Sequence, residues 1–440
     1  MFTVHLALAP FFLLATPPDK TPPVASWAGK TVLIKQIGSR LVQLDDKGAP
    51  TKSVPLTSLE YRVLADRNDR IQLRTNQGIT GWVSKSEVVL LDDAVAFFSK
   101  RIQQNANDAD AYGRRAWSWK LKGENDAAIK DFSEALRLRP TAANYSNRAI
   151  AYHAKKEYDK ALDDYSQALR LSPQFIGVYN NRGILWAAKK DYLRAIEDYS
   201  AAIRLDPKFL IAYRNRGLAY NARRDYDRAI ADFTRALELD PNSALSRRER
   251  GKSWAGKKEY DKALTDFNEA IRLDPKAPAS YWARALFWNS KKDDDKAIAD
   301  FTETIRLSRS FAPAYTERGM ALGRKKKYES ALADFNKALE IDGKSASAHN
   351  AVAWFLATCP EEKWRDGKRA VDLATKAVNL SRRNPIFVDT LAAALAETGN
   401  FADAAQLQEE VLRDARWKND PAARARLELY RKKLPYRQAN

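Results

Sequence analysis

The sequence predicts a mainly α chain, an α-solenoid of antiparallel helix pairs behind a small antiparallel β-barrel. Three observations carry this. Prolines recur at 140, 173, 207, 241 and 275, spaced by 33, 34, 34 and 34 residues, and a fixed period of this length marks stacked helix pairs. Alanine recurs once per period, at 128, 161, 195, 229, 263, 297, 331 and 370, where a small side chain lets two helices approach closely. Upstream, from Trp27 to about Leu91, the text alternates apolar and polar residues, as in TVLIK (31–35), IQLRT (71–75) and GWVSKSEVVL (81–90). Such short period-two runs, broken by Gly, Asn and Asp, are strand signals.

Composition bounds the rest. At 440 residues the chain exceeds a single core, so several domains or a repeat array are expected. A net charge of +19 makes anionic partners thinkable without choosing among them. One cysteine, Cys359, and three histidines, at 5, 153 and 349, exclude intramolecular disulfides, zinc fingers and iron–sulfur sites. The apolar run from Phe2 to Ala15 is too short to span a bilayer but suits a secretory signal over 1–15, followed by a proline-rich linker over 16–26. No Lys or Arg precedes the run, and a short membrane anchor or a misplaced start codon are the alternatives. The expected location is periplasmic or secreted, or cytoplasmic if the run is not a signal.

Residues 27–91 form the β domain, with Asn76, Gln77 and Gly78 turning one hairpin. The step Gly81-Trp82-Val83 followed by SKSEVV resembles the last strands of bacterial SH3-like domains. That resemblance implies a peptide or cell-wall groove lined by Trp82; the alternative is a half-buried barrel tryptophan.

The helical unit is clearest in LIAYRNRGLAYNARRDYDRAIADFTRALELDPNS (210–243). With Leu210 as position 1, Tyr213 is 4, Gly217 is 8, Tyr220 is 11, Ala229 is 20, Phe233 is 24, Ala236 is 27 and Pro241 is 32. This pattern is similar to the tetratricopeptide repeat, which implies a right-handed superhelix with a concave groove lined largely by the first helix of each pair. Small residues at 8 and 20 bring the two helices together, and a larger side chain overpacks by about 1–3 kcal/mol. The aromatic at 24 fills the space between pairs, and the proline at 32 ends the second helix. Residues 92–107 read as a lone second helix joining the β domain to the array. Residues 108–420 hold about nine repeats and 421–440 a capping helix and tail, since solenoid ends need a polar cap. Between Leu356 and Ala370 five residues are inserted, which places LATCPEEKWRDGKRAV (356–371) in the turn of repeat eight, with Cys359 ending a helix, Pro360 breaking it and Gly367 starting the next.

Three series are candidates for function. Arginine stands at position 7 of seven consecutive repeats (115, 148, 182, 216, 250, 284, 318) and aspartate at position 23 of the same seven (131, 164, 198, 232, 266, 300, 334). They read as a structural ladder of ion pairs, the alternative being a stripe of free arginines for an acidic ligand. Basic pairs fill the turns between helices: Lys155-Lys156, Lys189-Lys190, Arg223-Arg224, Lys257-Lys258, Lys291-Lys292 and Lys325-Lys326. They cap helix C-termini, or align into a ridge for an anionic partner. The resemblance assigns the peptide groove to Asn147, Asn180, Asn181, Arg214, Asn215 and Arg248, whose side chains suit a peptide backbone or carboxylate.

No phosphate loop, nucleophile elbow or metal-ligand spacing is present, and the run Asp293–Asp295 lacks the spaced ligands of a calcium loop. The reading is a non-catalytic scaffold without cofactor or metal, binding a protein or peptide partner, acidic segments included. The rival is an envelope protein holding an anionic wall polymer or peptidoglycan through the SH3-like domain and the ridge. Neither a nucleic-acid partner nor a transmembrane anchor is expected.

Overall fold

The computed structural model describes residues 26–36, 38–45 and 49–438. The expected signal and all but the last residue of the expected linker lie outside the described residues. The chain divides into two compact units, one ending at Leu185 and the other beginning at Trp186. No helix among the described residues is long and apolar enough to cross a membrane.

The first unit opens with eight strands among the described residues: β1 (Thr31–Ile34), β2 (Arg40–Leu44), β3 (Pro50–Pro55), β4 (Glu60–Arg62), β5 (Ala65–Arg67), β6 (Arg70–Arg74), β7 (Thr80–Ser84) and β8 (Val88–Leu90). They pair antiparallel in two sheets, ordered β4-β1-β8 and β3-β2-β7-β6-β5, over one core of Val32, Leu41, Tyr61, Ile71, Leu73, Val83 and Val88. The β6–β7 hairpin turns at Gly78, whose φ of +81° favours glycine. Gly81 is required by close approach: a Cβ there would lie 2.2 Å from Leu41 and 2.7 Å from the Val42 carbonyl. That contact explains the Gly-Trp-Val step.

Twenty α-helices among the described residues follow and build a solenoid of helix pairs. Helix α1 (Leu91–Gln104) is the half-repeat, burying Ala94 and Phe98 against Leu33 and Val89 of the sheet and Ala111 of the first pair. Repeats one to three are α2 (Ala109–Leu121) with α3 (Asn125–Leu138), α4 (Ala142–Ala154) with α5 (Tyr158–Leu171), and α6 (Ile176–Ala188) with α7 (Tyr192–Leu205). Repeats four to six are α8 (Leu210–Ala222) with α9 (Tyr226–Leu239), α10 (Ala244–Gly256) with α11 (Tyr260–Leu273), and α12 (Pro278–Ser290) with α13 (Asp294–Leu307). Repeats seven to nine are α14 (Ala312–Arg324) with α15 (Tyr328–Ile341), α16 (Ala346–Thr358) with α17 (Gly367–Leu380), and α18 (Pro385–Glu397) with α19 (Phe401–Arg413); α20 (Pro421–Arg431) closes the array.

Polar bonds fasten the sheets to the first repeat. Arg101 donates to the Lys35 carbonyl at 2.8 Å and pairs with Asp108 at 2.7 Å. Arg114, which is 4% exposed, donates to the Ile34 carbonyl and pairs with Asp110 at 2.8 Å. The Trp117 indole N–H reaches Glu60 at 3.3 Å.

Within the repeats, the alanines at position 20 are fully buried and the position-24 aromatics nearly so. Where position 8 is glycine the fit is closest: a Cβ on Gly217, Gly251 or Gly319 would lie 2.9, 2.9 or 2.7 Å from the ring of Phe233, Phe267 or Phe335.

The arginine and aspartate series do face one another. In six repeats the position-7 guanidinium donates from Nε and Nη2 to the two carboxylate oxygens of the position-23 aspartate, all at 2.6–2.8 Å. In repeat three, Arg182 and the buried Asp198 hold the same places. The arginine's remaining Nη1 crosses to the preceding second helix. It donates to Ser99, Ser133, Ser166, Ser200, Thr234, Asn268 or Thr302 in turn, at 2.6–3.2 Å. One side chain thus ties three helices. Tyrosine at position 4 lies near the same guanidinium, 5.5–5.9 Å from its ring centre in repeats one to four and seven.

Repeat eight replaces the pair with Val352 and Leu373, both buried in one apolar cluster. At the end of the array Arg426 of α20 and Gln408 of α19 both donate to Asp389 of α18, at 2.9 and 2.7 Å, and all three residues are buried.

Removing one partner of a buried bidentate pair strands the other charge, which costs about 3–5 kcal/mol, whereas replacing both by apolar groups is often near neutral. Asp232→Ala is therefore expected to lower stability in urea melts by more than the paired change Arg216→Met with Asp232→Leu, which recreates the chemistry of repeat eight. Equal losses would reject the ladder as a structural device.

Candidate peptide-binding face

Positions 5, 6 and 9 of each first helix form the face assigned to peptide binding. In the first unit, Asn147 borders a cleft of about 820 Å³ between the sheets and the first two repeats, beside Asn144, Trp117 and Arg114. Asn180 is 6% exposed, and Asn181 hydrogen-bonds the Tyr165 hydroxyl, whose ionisation burial pushes well above the ordinary tyrosine range.

In the second unit, Asn215 is half-buried. Arg248 is held by Glu249 at 3.0 Å, which also takes Lys252 at 3.0 Å, so its charge is neutralised within its own helix. Arg214 differs. It is half-buried and, among the described residues, forms no hydrogen bond or ion pair. Burial draws its guanidinium below the ordinary value, with Asp240 only partly opposing. An arginine in that state gains from any carboxylate that reaches it. Sequence spacing placed Arg214 on the face and paired its neighbour Arg216 with an aspartate, but gave no sign of whether Arg214 would meet a carboxylate of its own.

Trp82 is half-buried on β7, opposite Gln72 and Val42, with the Arg67 guanidinium 5.2 Å from its ring centre.

The basic pairs divide into two roles. In three turns the first residue reaches the acid that opens the preceding repeat's second helix, Lys155 to Asp126, Lys257 to Asp227, and Lys325 to Asp295 at 2.9 Å, while Lys291 lies 3.7 Å from the Tyr260 ring centre. The second residue is exposed and left-handed, with φ of 63°, 63°, 62°, 65°, 58° and 59° at Lys156, Lys190, Arg224, Lys258, Lys292 and Lys326. It closes the helix in the manner of a glycine; Gly123 and Gly399 take the same turn in repeats one and nine, at 86° and 84°. Sequence reasoning missed this because a lysine pair looks like simple charge. The aligned glycines of the first and ninth repeats were the available signal.

His153, His349 and Cys359 each pack against neighbouring groups of the fold. His349 is buried, with Nδ1 2.9 Å from the Ser345 carbonyl, and His153 sits against Tyr158, with burial lowering its pKa. Cys359 ends α16 and is 1% exposed, and burial pushes its thiol up. Arg365 pins this turn by donating to the Cys359 and Pro360 carbonyls at 3.1 and 3.0 Å and to Glu397 at 2.9 Å. No group of three or more His, Cys, Asp or Glu suited to a metal occurs among the described residues.

The family description "Tetratricopeptide repeat" matches residues 142–175, 211–243, 248–310, 312–345 and 389–416, and "TPR repeat" matches 187–223. The helix pairs within these residues are tetratricopeptide repeats. Among solved structures the chain is similar to a tetratricopeptide repeat protein from Parabacteroides merdae at 23% identity, over 55% of this chain and 96% of that one, with a TM-score of 0.49. It is similar to yeast Tom70 at 21% identity, over 78% and 86%, with a TM-score of 0.46. It is also similar to YrrB, described as a TPR protein with an unusual peptide-binding site, at 24% identity over 42% and 97%, with a TM-score of 0.39. No curated relative matches the chain.

Two expectations follow. A thiol reagent such as iodoacetamide at pH 7.5 is expected to leave Cys359 unmodified in the folded chain and to react within minutes in denaturant; equal rates would show the thiol open to solvent. Lys258→Gly relieves a left-handed residue, worth about 1 kcal/mol, and is expected to melt higher than Lys258→Ala, which loses the cation and keeps the strain. The reverse order would mean that the charge outweighs the backbone.

Proposed function

We propose that the chain is a non-catalytic tetratricopeptide scaffold that binds a protein or peptide segment along its first-helix face, outside the cytoplasm. Arg214 carries this reading. Six guanidiniums of the ladder are each held by an aspartate, and Arg248 by Glu249, but Arg214 stands half-buried on the recognition face without an ion pair among the described residues. Its complement is a carboxylate, from a peptide C-terminus or an acidic side chain, with Asn215 next to it in sequence to meet the peptide backbone.

A fluorescence-anisotropy screen of short acidic peptides with free C-termini tests this. The best ligand is expected to lose about tenfold or more in affinity with Arg214→Gln, the effect of removing one charge-assisted bond. Asn215→Ala is expected to weaken it further at unchanged helicity. Binding indifferent to Arg214 would sink the reading.

A second reading rests on the left-handed basic residues. Glycine suits that backbone better, yet six turns carry an exposed Lys or Arg there, which supports a role for their charge toward an anionic wall polymer. The N-terminal sheets, as an SH3-like domain with Trp82, would then supply a second attachment. Polymer binding of this kind falls steeply with salt, whereas an Arg214-centred site persists at moderate ionic strength.

A further inference from the structure

After α20 the chain does not leave the array. Lys433 turns left-handed at φ 57°, and residues 434–438 run back across the first-helix face of repeats eight and nine. Tyr436 packs on Trp354, the position-9 residue of α16, with ring centres 5.7 Å apart. The Arg426 guanidinium lies 5.6 Å from both ring centres. Arg437 pairs with Glu397 of α18, which Arg365 also holds. The Gln438 backbone N–H donates to the Thr358 carbonyl at 2.9 Å, one of the groups that the end of α16 leaves without a helical partner.

This is more than a cap. The end of the array is already closed by α20, through the buried bonds of Asp389 to Arg426 and Gln408 and the burial of Tyr430. The tail also leaves the face partly unfilled. Beside Gln438 a cleft of about 320 Å³ is lined by Glu317, Met320, Asn350, Trp354 and Phe387, and the buried Asn350 carbonyl oxygen in it has no hydrogen-bond partner. The chemistry of the face changes along the array as well. Position 6 is Asn147, Asn181 and Asn215 in repeats two to four but Glu317 in seven, so repeat seven presents a carboxylate with aromatic and thioether neighbours.

We propose that the first-helix face of repeats seven to nine is a binding site for a protein segment carrying an aromatic residue followed by arginine, and that Leu434–Gln438 occupies part of it as a tethered competitor. The aromatic ring enters between Trp354 and Arg426, the arginine meets Glu397, and the next residues extend into the open cleft toward Asn350 and Glu317. This rests on the reading that first-helix faces bind peptide segments, and assigns a different section of that face and the opposite ligand charge from the Arg214 site. Tethering keeps the tail at an effective concentration of about millimolar, so a partner displaces it only with better contacts, which the unfilled cleft offers.

The test uses the full-length chain and a labelled, C-terminally amidated peptide of sequence LPYRQ, read by anisotropy. Tyr436→Ala with Arg437→Ala is expected to bind the peptide at least tenfold more tightly than the unaltered chain, and Trp354→Ala or Glu397→Gln added to that variant is expected to abolish the gain. Arg437→Glu alone serves as a milder release of the tail. It is expected to raise hydrogen exchange at residues 434–438 with the melting temperature of the array unchanged. Equal peptide binding by released and unaltered chains, or exchange unaffected by Arg437→Glu, overturns the proposal. Dimerisation of the unaltered chain through exchanged tails, seen by size-exclusion chromatography, also overturns it by making a second copy the occupant. Sensitivity of LPYRQ binding to Trp354 but not to Arg214 separates this site from the acidic-peptide site, so either can fail alone.

Discussion

The position-7 arginine is the constraint on which the array depends. Its planar fork matches a carboxylate bidentately, which fixes the first helix against the second helix of the same repeat, and its third donor fixes both against the second helix before. A guanidinium and a carboxylate this deep are tolerated only with such geometry, because each alone would suffer the full desolvation penalty. The strap therefore works as a register device as much as an attraction: the small residues at positions 8 and 20 permit close approach, and the strap selects one alignment among the several that close approach would allow. Repeat eight shows the other solution. With Val352 and Leu373 in these places the packing is apolar, and it is this repeat whose turn takes in five extra residues around Cys359.

The strap also determines what is left for recognition. Arginines and lysines are abundant, and the ladder arginines among them are occupied by aspartates of the chain itself, so these charges are not among the cations a partner would meet. Three features stand apart from the ladder: Arg214 on a first-helix face, an exposed left-handed basic residue in six of the turns, and Glu397, which the tail covers through Arg437. These features differ in charge.

The period of the prolines, the alanines at position 20 and the facing Arg and Asp series were legible in the sequence, because each repeat sees the same neighbours and a repeated environment selects the same residue every 34 positions. Even the insertion after Leu356 could be counted from a register broken by five. The hydroxyl or amide at position 25 that receives the arginine's third donor was equally regular, as Ser133, Ser166, Ser200, Thr234, Asn268 and Thr302, and went unread because serine and threonine on a helix need no special reason.

The rest was decided by tertiary structure, for reasons that lie outside any local pattern. Whether an arginine off the ladder is occupied depends on which carboxylate the fold brings to it: Arg216 is held by Asp232, while Arg214, two residues away, is opposed only by the field of Asp240. The pairing of Lys155 with Asp126 depends on how successive repeats stack, and the seat of Tyr436 between Trp354 and Arg426 depends on a chain reversal at Lys433. The sequence by itself determined the repeat, its helices and its internal ion pairs, since those interactions recur at fixed separation along the chain. Only the folded molecule decided which charges stay available and which stretch of the face the tail covers, since those contacts occur once and join residues whose separation in sequence carries no period.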